Sequence, residues 1–300
     1  MNSFSAFTIT TNVITLITWW ALLNKRNQIL RILHSVKKLK IRDNKLVLYF
    51  ARFSIFTVFV FTIVPSVIST ILIHLSPRHE GKCNECWFQL PSPFLRMAYN
   101  FLLQSSRQFV NWGFNYSVAV FYSCICLELN VVVCKLNKDI KLQKFHVLRE
   151  KKERYRSLVL TVMDFDDGMS FIILQVFCNC LNEFFRVFTQ ILFNPNSTAS
   201  VRIFILASFY FLGSAITFIT VVFTADCLQH NFAFLRRSML ETSEFMPMSP
   251  LPELLRCDLE LLEDKDNIHL TAWGMFEVKK GLIITALASL ISYSVILGQF

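Results

Sequence analysis

At 300 residues, the chain is 54% hydrophobic, with a mean hydropathy of +0.46 and 31 Phe, which is too apolar for a water-soluble domain. Charged residues make up 17%, against about 25% in soluble chains, and 7 Gly are too few for a turn-rich β protein. The formal net charge of +9 lies between apolar runs rather than in one patch, which argues for membrane topology over nucleic-acid binding.

In chain order, six apolar stretches predict membrane helices, at 4–23, 53–75, 97–134, 169–193, 201–228 and 281–300. Each reaches the roughly 20 residues that a helix needs to cross about 30 Å of hydrocarbon. None shows the ten-residue alternation of barrel strands. The expected fold is therefore all-α: one polytopic membrane domain over 1–300. The first stretch carries no charge and ends in Trp19-Trp20. It lacks the basic start and small-residue cleavage site of a signal peptide, so it is expected to span.

The loops orient these helices. Residues 24–45 carry eight Lys or Arg, 135–167 nine and 230–280 six, whereas 76–96 carry three and 194–200 none. Basic loops stay in the cytoplasm, so both termini are expected outside. Asn196 opens an Asn-Ser-Thr glycosylation sequon in an outer loop. Cys83 and Cys86, in the other outer loop, are candidates for an extracellular disulfide. Their C-x-x-C spacing has no second ligand pair to complete a zinc site.

No nucleotide-binding, zinc-protease or serine-hydrolase motif is present, so no enzyme, cofactor or metal is expected. The run Asp164–Ser170 (DFDDGMS) lacks the ligand order of a calcium loop, and Asp226 with Cys227 and His230 lacks a further metal ligand. Both are expected to be solvated helix-end charge.

In the last helix Thr285, Ser289, Ser292, Ile296 and Gln299 follow one another at spacings of four and three, so they share a face. Such a stripe suits either close helix packing or a water-lined pathway formed by copies of this helix around an axis. On the fourth crossing Gln175, Asn179, Asn182 and Arg186 recur at the same spacing, with Glu183 three before Arg186. That pattern fits a buried Glu183–Arg186 pair among packing amides, or a ligand-facing polar wall. Trp112, Phe114 and Tyr116 on the third crossing, with Phe209 and Tyr210 on the fifth, would supply apolar walls.

The sequence Gly274-Met275-Phe276, then Val278-Lys279-Lys280-Gly281-Leu282, then Ser292-Tyr293 with five residues before Gln299-Phe300, resembles the C-terminal signature of insect gustatory receptors. Ser292 stands where that signature has Thr, and Gly298 where a larger apolar residue is usual. The resemblance implies a seven-helix ligand-gated cation channel with a cytoplasmic N-terminus. Four subunits, alike or mixed with other gustatory receptors, would line the pore with their last helices. Gln299 and Phe300 then fall at the outer gate, and Met1 to Leu23 corresponds to the second helix, the first being absent. It also implies a small-molecule tastant and cations as partners, with membrane lipid around them and no nucleic acid. Further expectations are the plasma membrane of chemosensory neurons, an extracellular C-terminus, and an anchor helix within the cytoplasmic loop 229–280, over Leu251–Val278. A metabotropic heptahelical receptor and a membrane transporter are the alternatives.

Overall fold

A computed structural model of the chain describes residues 3–39, 45–74, 92–142, 148–193, 200–244 and 269–297. These residues form helices α1 (Ser3–Asn24), α2 (Arg26–Leu39), α3 (Lys45–His74), α4 (Pro93–Gln108), α5 (Phe114–Leu142), α6 (Leu148–Phe193), α7 (Ser200–Glu244) and α8 (Gly281–Leu297). A π-helical turn, Phe109–Gly113, joins α4 to α5, and a two-stranded hairpin, β1 (Thr271–Ala272) and β2 (Phe276–Glu277), precedes α8. The fold is an all-α, multi-pass membrane bundle.

Four stretches, Val47–Ile71, Phe114–Ile140, Glu153–Thr189 and Ala207–Met239, are long and apolar enough to cross a bilayer; Gly281–Tyr293 is a shorter apolar helix. The 22 residues of α1 carry no charge. Large apolar side chains face outward along these helices, as with Phe53, Phe56 and Phe59 on α3 and Leu16 and Trp20 on α1. Acyl chains cover such a surface without cost. At 46 and 45 residues, α6 and α7 are about 70 Å long at 1.5 Å per residue. That is more than twice the hydrocarbon thickness, so both continue past it into the end of the bundle that carries the basic segments.

Local chemistry sets the joints. Pro93 opens α4 after Ser92, where a missing N–H costs nothing. Helix α1 passes into α2 through Lys25 alone, with Lys25 N donating to Ala21 O and Ile29 N to Lys25 O at 2.9 Å each. Pro65 sits inside α3. Around it Thr62 and Ser66 return hydroxyl bonds to the carbonyls of Val58 and Thr62, both at 2.7 Å.

The core lies between α5, α6 and α7, with Leu129, Val133, Leu158, Phe165, Ile173, Val221, Val222 and Leu235 fully buried. The Tyr122 and Phe165 rings stack at 4.9 Å, and Phe177 packs on Phe218 at 5.0 Å.

Most of the stretch expected as an anchor helix lies outside the described residues, but its end is not helical. Residues 269–277 form the hairpin. The tip turns through Trp273 (φ 54°) and Gly274 (φ 68°), closed by Met275 N donating to Ala272 O at 3.0 Å. Two successive positive φ angles make a hairpin turn that no right-handed helix can contain.

Replacing Phe165 by Ala removes a ring packed on every side and is expected to cost about 3 kcal/mol. The lipid-facing Ile219→Ala is expected to stay within about 0.5 kcal/mol. Thermal unfolding in detergent, followed by size exclusion, distinguishes the two.

Candidate functional site

Three features of the described residues have the makings of a site, and all three draw on α7. The first is polar and lies inside the bundle. Glu183, buried on α6, is ion-paired with Arg186 one turn on. Thr11 of α1 donates to Glu183 Oε1 at 3.3 Å, and Asn182 Nδ2 donates to Thr11 Oγ1 at 2.8 Å. The Arg186 guanidinium lies 4.5 Å from the centre of the Tyr210 ring on α7, and Gln108 Nε2 donates to the Tyr210 hydroxyl. Thus α1, α4, α6 and α7 meet at one cluster. A paired charge in a bundle interior is tolerable only with such partners. Two polar atoms there, Asn179 Oδ1 and Arg186 Nε, are buried without a hydrogen-bond partner.

The second feature is aromatic. Trp112 stacks on Tyr116 at 4.9 Å and lies 5.2 Å from Phe61 of α3, which meets Phe209 of α7 edge-on at 6.0 Å. Trp112 belongs to the π-helical turn, whose extra residue rotates the start of α5 relative to a regular helix. The indole fills the space where Gly213 of α7 lacks a side chain: a Cβ there would stand 2.5 Å from Trp112 Cζ2.

Of the residues singled out for a ligand, the bundle thus joins Arg186 and Asn182 to Tyr210, and Trp112 to Tyr116. Asn179 is buried and Gln175 half-buried on the same face of α6. The Glu183–Arg186 pair forms, and the Arg186 guanidinium also faces an aromatic wall. Phe61, Gln108, Thr11 and Gly213 escaped the sequence reading. One available signal was the spacing of Thr11, Thr15 and Thr18 on α1, all buried.

The third feature is a clasp at the head of α8. Asp166 of α6 accepts from Thr271 N at 2.7 Å and from Thr271 Oγ1 at 2.9 Å. Asp226 of α7 accepts from Lys280 N at 3.3 Å, and the Lys280 ammonium lies 3.1 Å from its other oxygen. Gln229 Nε2 donates to Val278 O at 2.8 Å. Leu270, Ala272 and Val278 are fully buried between these helices. Asp166 and Asp226, expected as solvated helix-end charge, instead hold the hairpin. The pairing partners lie over fifty residues away, beyond the reach of local spacing. Glu277 of β2 is held below the usual carboxylate range, chiefly by the Lys279 ammonium, with His269 Nδ1 2.9 Å away.

Helix α8 hangs from this clasp with three faces. Leu290 is buried, and Leu282, Ile283 and Ala286 lie against the bundle. Tyr293 meets Phe185 edge-on at 4.6 Å. Roughly a third of a turn away, Thr285, Ser289, Ser292 and Ile296 are exposed together. On the remaining side Ile284, Leu287 and Ile291 are exposed, Ile284 by 72%. Two of the stripe's hydroxyls already donate inward, Thr285 to Gly281 O at 3.2 Å and Ser289 to Thr285 O at 2.9 Å. Of the signature residues, Gly274 and Phe276 shape the hairpin. Gln299, Phe300, Asn196, Cys83 and Cys86 lie outside the described residues.

The fold has solved counterparts. The insect olfactory receptor OR5 from Machilis hrabei superposes with a TM-score of 0.73 at 10% identity, covering 97% of this chain and 79% of that one. The same receptor in complex with eugenol gives 0.71 at 10% identity, over 98% and 80%. No protein-family model matches the chain, and no curated protein matches it.

A Gly213→Ala substitution is expected to expel the Trp112 indole and to destabilise the bundle by about 1–3 kcal/mol. Adding Trp112→Phe should recover most of the loss. Melting curves of the single and double variants would show it; a Gly213→Ala protein as stable as the parent would mean that the indole does not need the notch.

Proposed function

We propose that this chain is a chemosensory receptor of the gustatory type, a ligand-gated cation channel in which four copies surround a pore lined by α8. The observation that carries the reading is the three-faced α8. A membrane helix attached to its own chain along one face has two more to cover. A ring of copies covers them, setting Ile284, Leu287 and Ile291 against a neighbour and Thr285, Ser289, Ser292 and Ile296 towards the axis. The likeness in fold to an insect olfactory receptor and the gustatory-type signature near the C-terminus support it. In this reading Gln299 and Phe300 form the outer gate, at an extracellular C-terminus in the plasma membrane of a chemosensory neuron.

The stripe suits weakly selective cation passage. Thr285 and Ser289 spend their hydroxyl protons on their own helix backbone, so they present oxygen lone pairs to the axis. With no charge among the exposed groups of α8, such a wall sorts ions by size and hydration rather than by a charged ring.

The ligand site of this reading is the bundle interior. Trp112, Tyr116, Phe61 and Phe209 supply aromatic surface, and Tyr210, Arg186, Asn182 and Asn179 supply polarity, with Gln175 on the same wall. The orphaned Asn179 Oδ1 and Arg186 Nε are polar atoms that a ligand hydroxyl or carbonyl would satisfy. Because Glu183 neutralises Arg186, the site favours neutral molecules. An olfactory role is the second reading, favoured by the olfactory neighbours, one of them bound to eugenol. Asn196 as a glycan acceptor and a disulfide involving Cys83 or Cys86 belong to the same orientation.

In patch-clamped heterologous cells, a panel of neutral small aromatics and tastants is expected to open cation currents. A charged thiol reagent should then reduce the current of Ser289→Cys or Ser292→Cys within seconds and leave Leu287→Cys unaffected. Modification of Leu287→Cys alone would put the wrong face at the axis. Gln299→Ala should change unit conductance or opening without ligand; unchanged single-channel behaviour would remove Gln299 from the pore.

Breaking the clasp with Asp226→Asn or Lys280→Met is expected to shift open probability several-fold at constant unit conductance. A change in conductance alone would mean that the clasp shapes the pore rather than biasing its opening.

A further inference from the structure

Helix α2 has two unlike faces. Ile32 and Val36 are buried, and Ile29 and Leu39 pack against the core. The close approach to α6 is made possible by Gly168, where a Cβ would stand 3.0 Å from Ile32 Cδ1. The opposite face presents Arg26, Arg31, His34, Lys37 and Lys38, all exposed, with Leu30 and Leu33 exposed among them.

The helix contains no Asp or Glu. The acid that reaches this end from α6, Asp167, is already engaged: Lys25 lies 3.5 Å from it, and Gln28 Nε2 donates to it at 2.8 Å. Arg26, Arg31, Lys37 and Lys38 make no ion pair among the described residues, whereas Lys279 and Lys280 near the hairpin both have carboxylate partners. Immediately before α2 stand Trp19 and Trp20, both exposed, in the position of an interfacial aromatic belt.

A solvated helix of this kind gains from acids interleaved with its bases. Four uncompensated cations, beginning nearly two turns past the aromatic belt, instead complement an anionic lipid surface. From Arg26 to Lys38 the charges extend over about 18 Å of helix axis at 1.5 Å per residue. A single phosphate is too small to engage charges spread over that length. A headgroup that projects several phosphates outward meets more.

We infer that the outward face of α2 binds the headgroup of a polyphosphorylated inositol lipid, with Arg26, Arg31, Lys37 and Lys38 on its phosphates. The occupant belongs to the leaflet at the basic end of the bundle, where anionic lipids gather in cells. The same helix holds α6 through Ile32 and Gln28, so an occupied site steadies α6 where it approaches the hairpin. The site does not depend on the channel reading, and its test reads lipid binding alone.

The probe is a fluorescent dioctanoyl phosphatidylinositol bisphosphate, titrated by anisotropy into the full chain in uncharged detergent micelles. The variant Arg26→Gln/Arg31→Gln/Lys37→Gln/Lys38→Gln is expected to bind at least about tenfold more weakly, since each basic residue near a membrane surface is worth about fivefold. A control with the same loss of charge from exposed positions of α5, α6 and α7, Lys135→Gln/Lys138→Gln/Arg156→Gln/Arg237→Gln, is expected to change affinity less than threefold. Thermal melts show that each variant is folded. Equal loss in both variants, or none in the first, overturns the site. Competition by dioctanoyl phosphatidylserine at equal concentration would overturn the polyphosphate assignment. Equal competition by soluble inositol trisphosphate would overturn the lipid as the occupant.

Discussion

A chain dissolved in lipid must satisfy its polar groups by itself, because no water waits in the hydrocarbon to do so. The interior of this bundle reflects that requirement. On α3, Thr57, Thr62, Ser66 and Thr70 each donate to the carbonyl one turn back, at 2.7–2.9 Å. On α1, Thr11 and Thr15 reach across to α6 and α5, the former to Glu183 and the latter as acceptor from Asn115 at 3.0 Å. The Glu183–Arg186 pair is tolerated because hydroxyl, amide and aromatic groups from neighbouring helices surround it. On α8 Thr285 and Ser289 make the same return bonds, but their stripe differs in being exposed.

The two long helices give the bundle its connectivity. Arg186 and Asp166 stand on α6, about 30 Å apart at 1.5 Å per residue, and Tyr210 and Asp226 on α7, about 24 Å apart. The interior cluster thus lies towards one end of the same two rods, and the clasp of α8 near their middle. Coupling between sites requires an element with two arrangements that both sites can bias. The hairpin is suited to that part. It is small, its turn places Trp273 in a left-handed conformation unusual for a bulky residue, and its grip on the bundle combines a few hydrogen bonds, three buried apolar residues and the ring contacts of Trp273 with Phe171 and of Phe276 with Phe177.

Much of the architecture was legible in the sequence because hydropathy and charge act over windows of twenty residues. The long apolar runs that become α3, α5, α6 and α7, and the stripe on α8, are set by periodicity alone. The recurrence of Asn179, Asn182 and Arg186 located the polar wall of α6. Pairings at long range were not legible. Nothing in the spacing around Asp166 foretells Thr271, and nothing around Gln108 foretells Tyr210. The π-helical turn was hidden too, since one extra residue leaves no mark on a pattern already rich in Phe. The hairpin was lost for a different reason: two residues per strand are too few for alternation to show, and the positive-φ pair Trp273-Gly274 offers half of the usual turn signal.

The seating of Trp112 against Gly213 has a mechanical side. Along the facing edge of α7 the positions one turn to either side are Phe209 and Thr217, and each carries a side chain where Gly213 has none. An indole lodged between them works as a detent. The third and fifth crossings can rock or spread about this point, but axial slippage by less than a full turn would drive the ring into a neighbour. Relative motion of these two helices is thereby channelled into tilting about this contact.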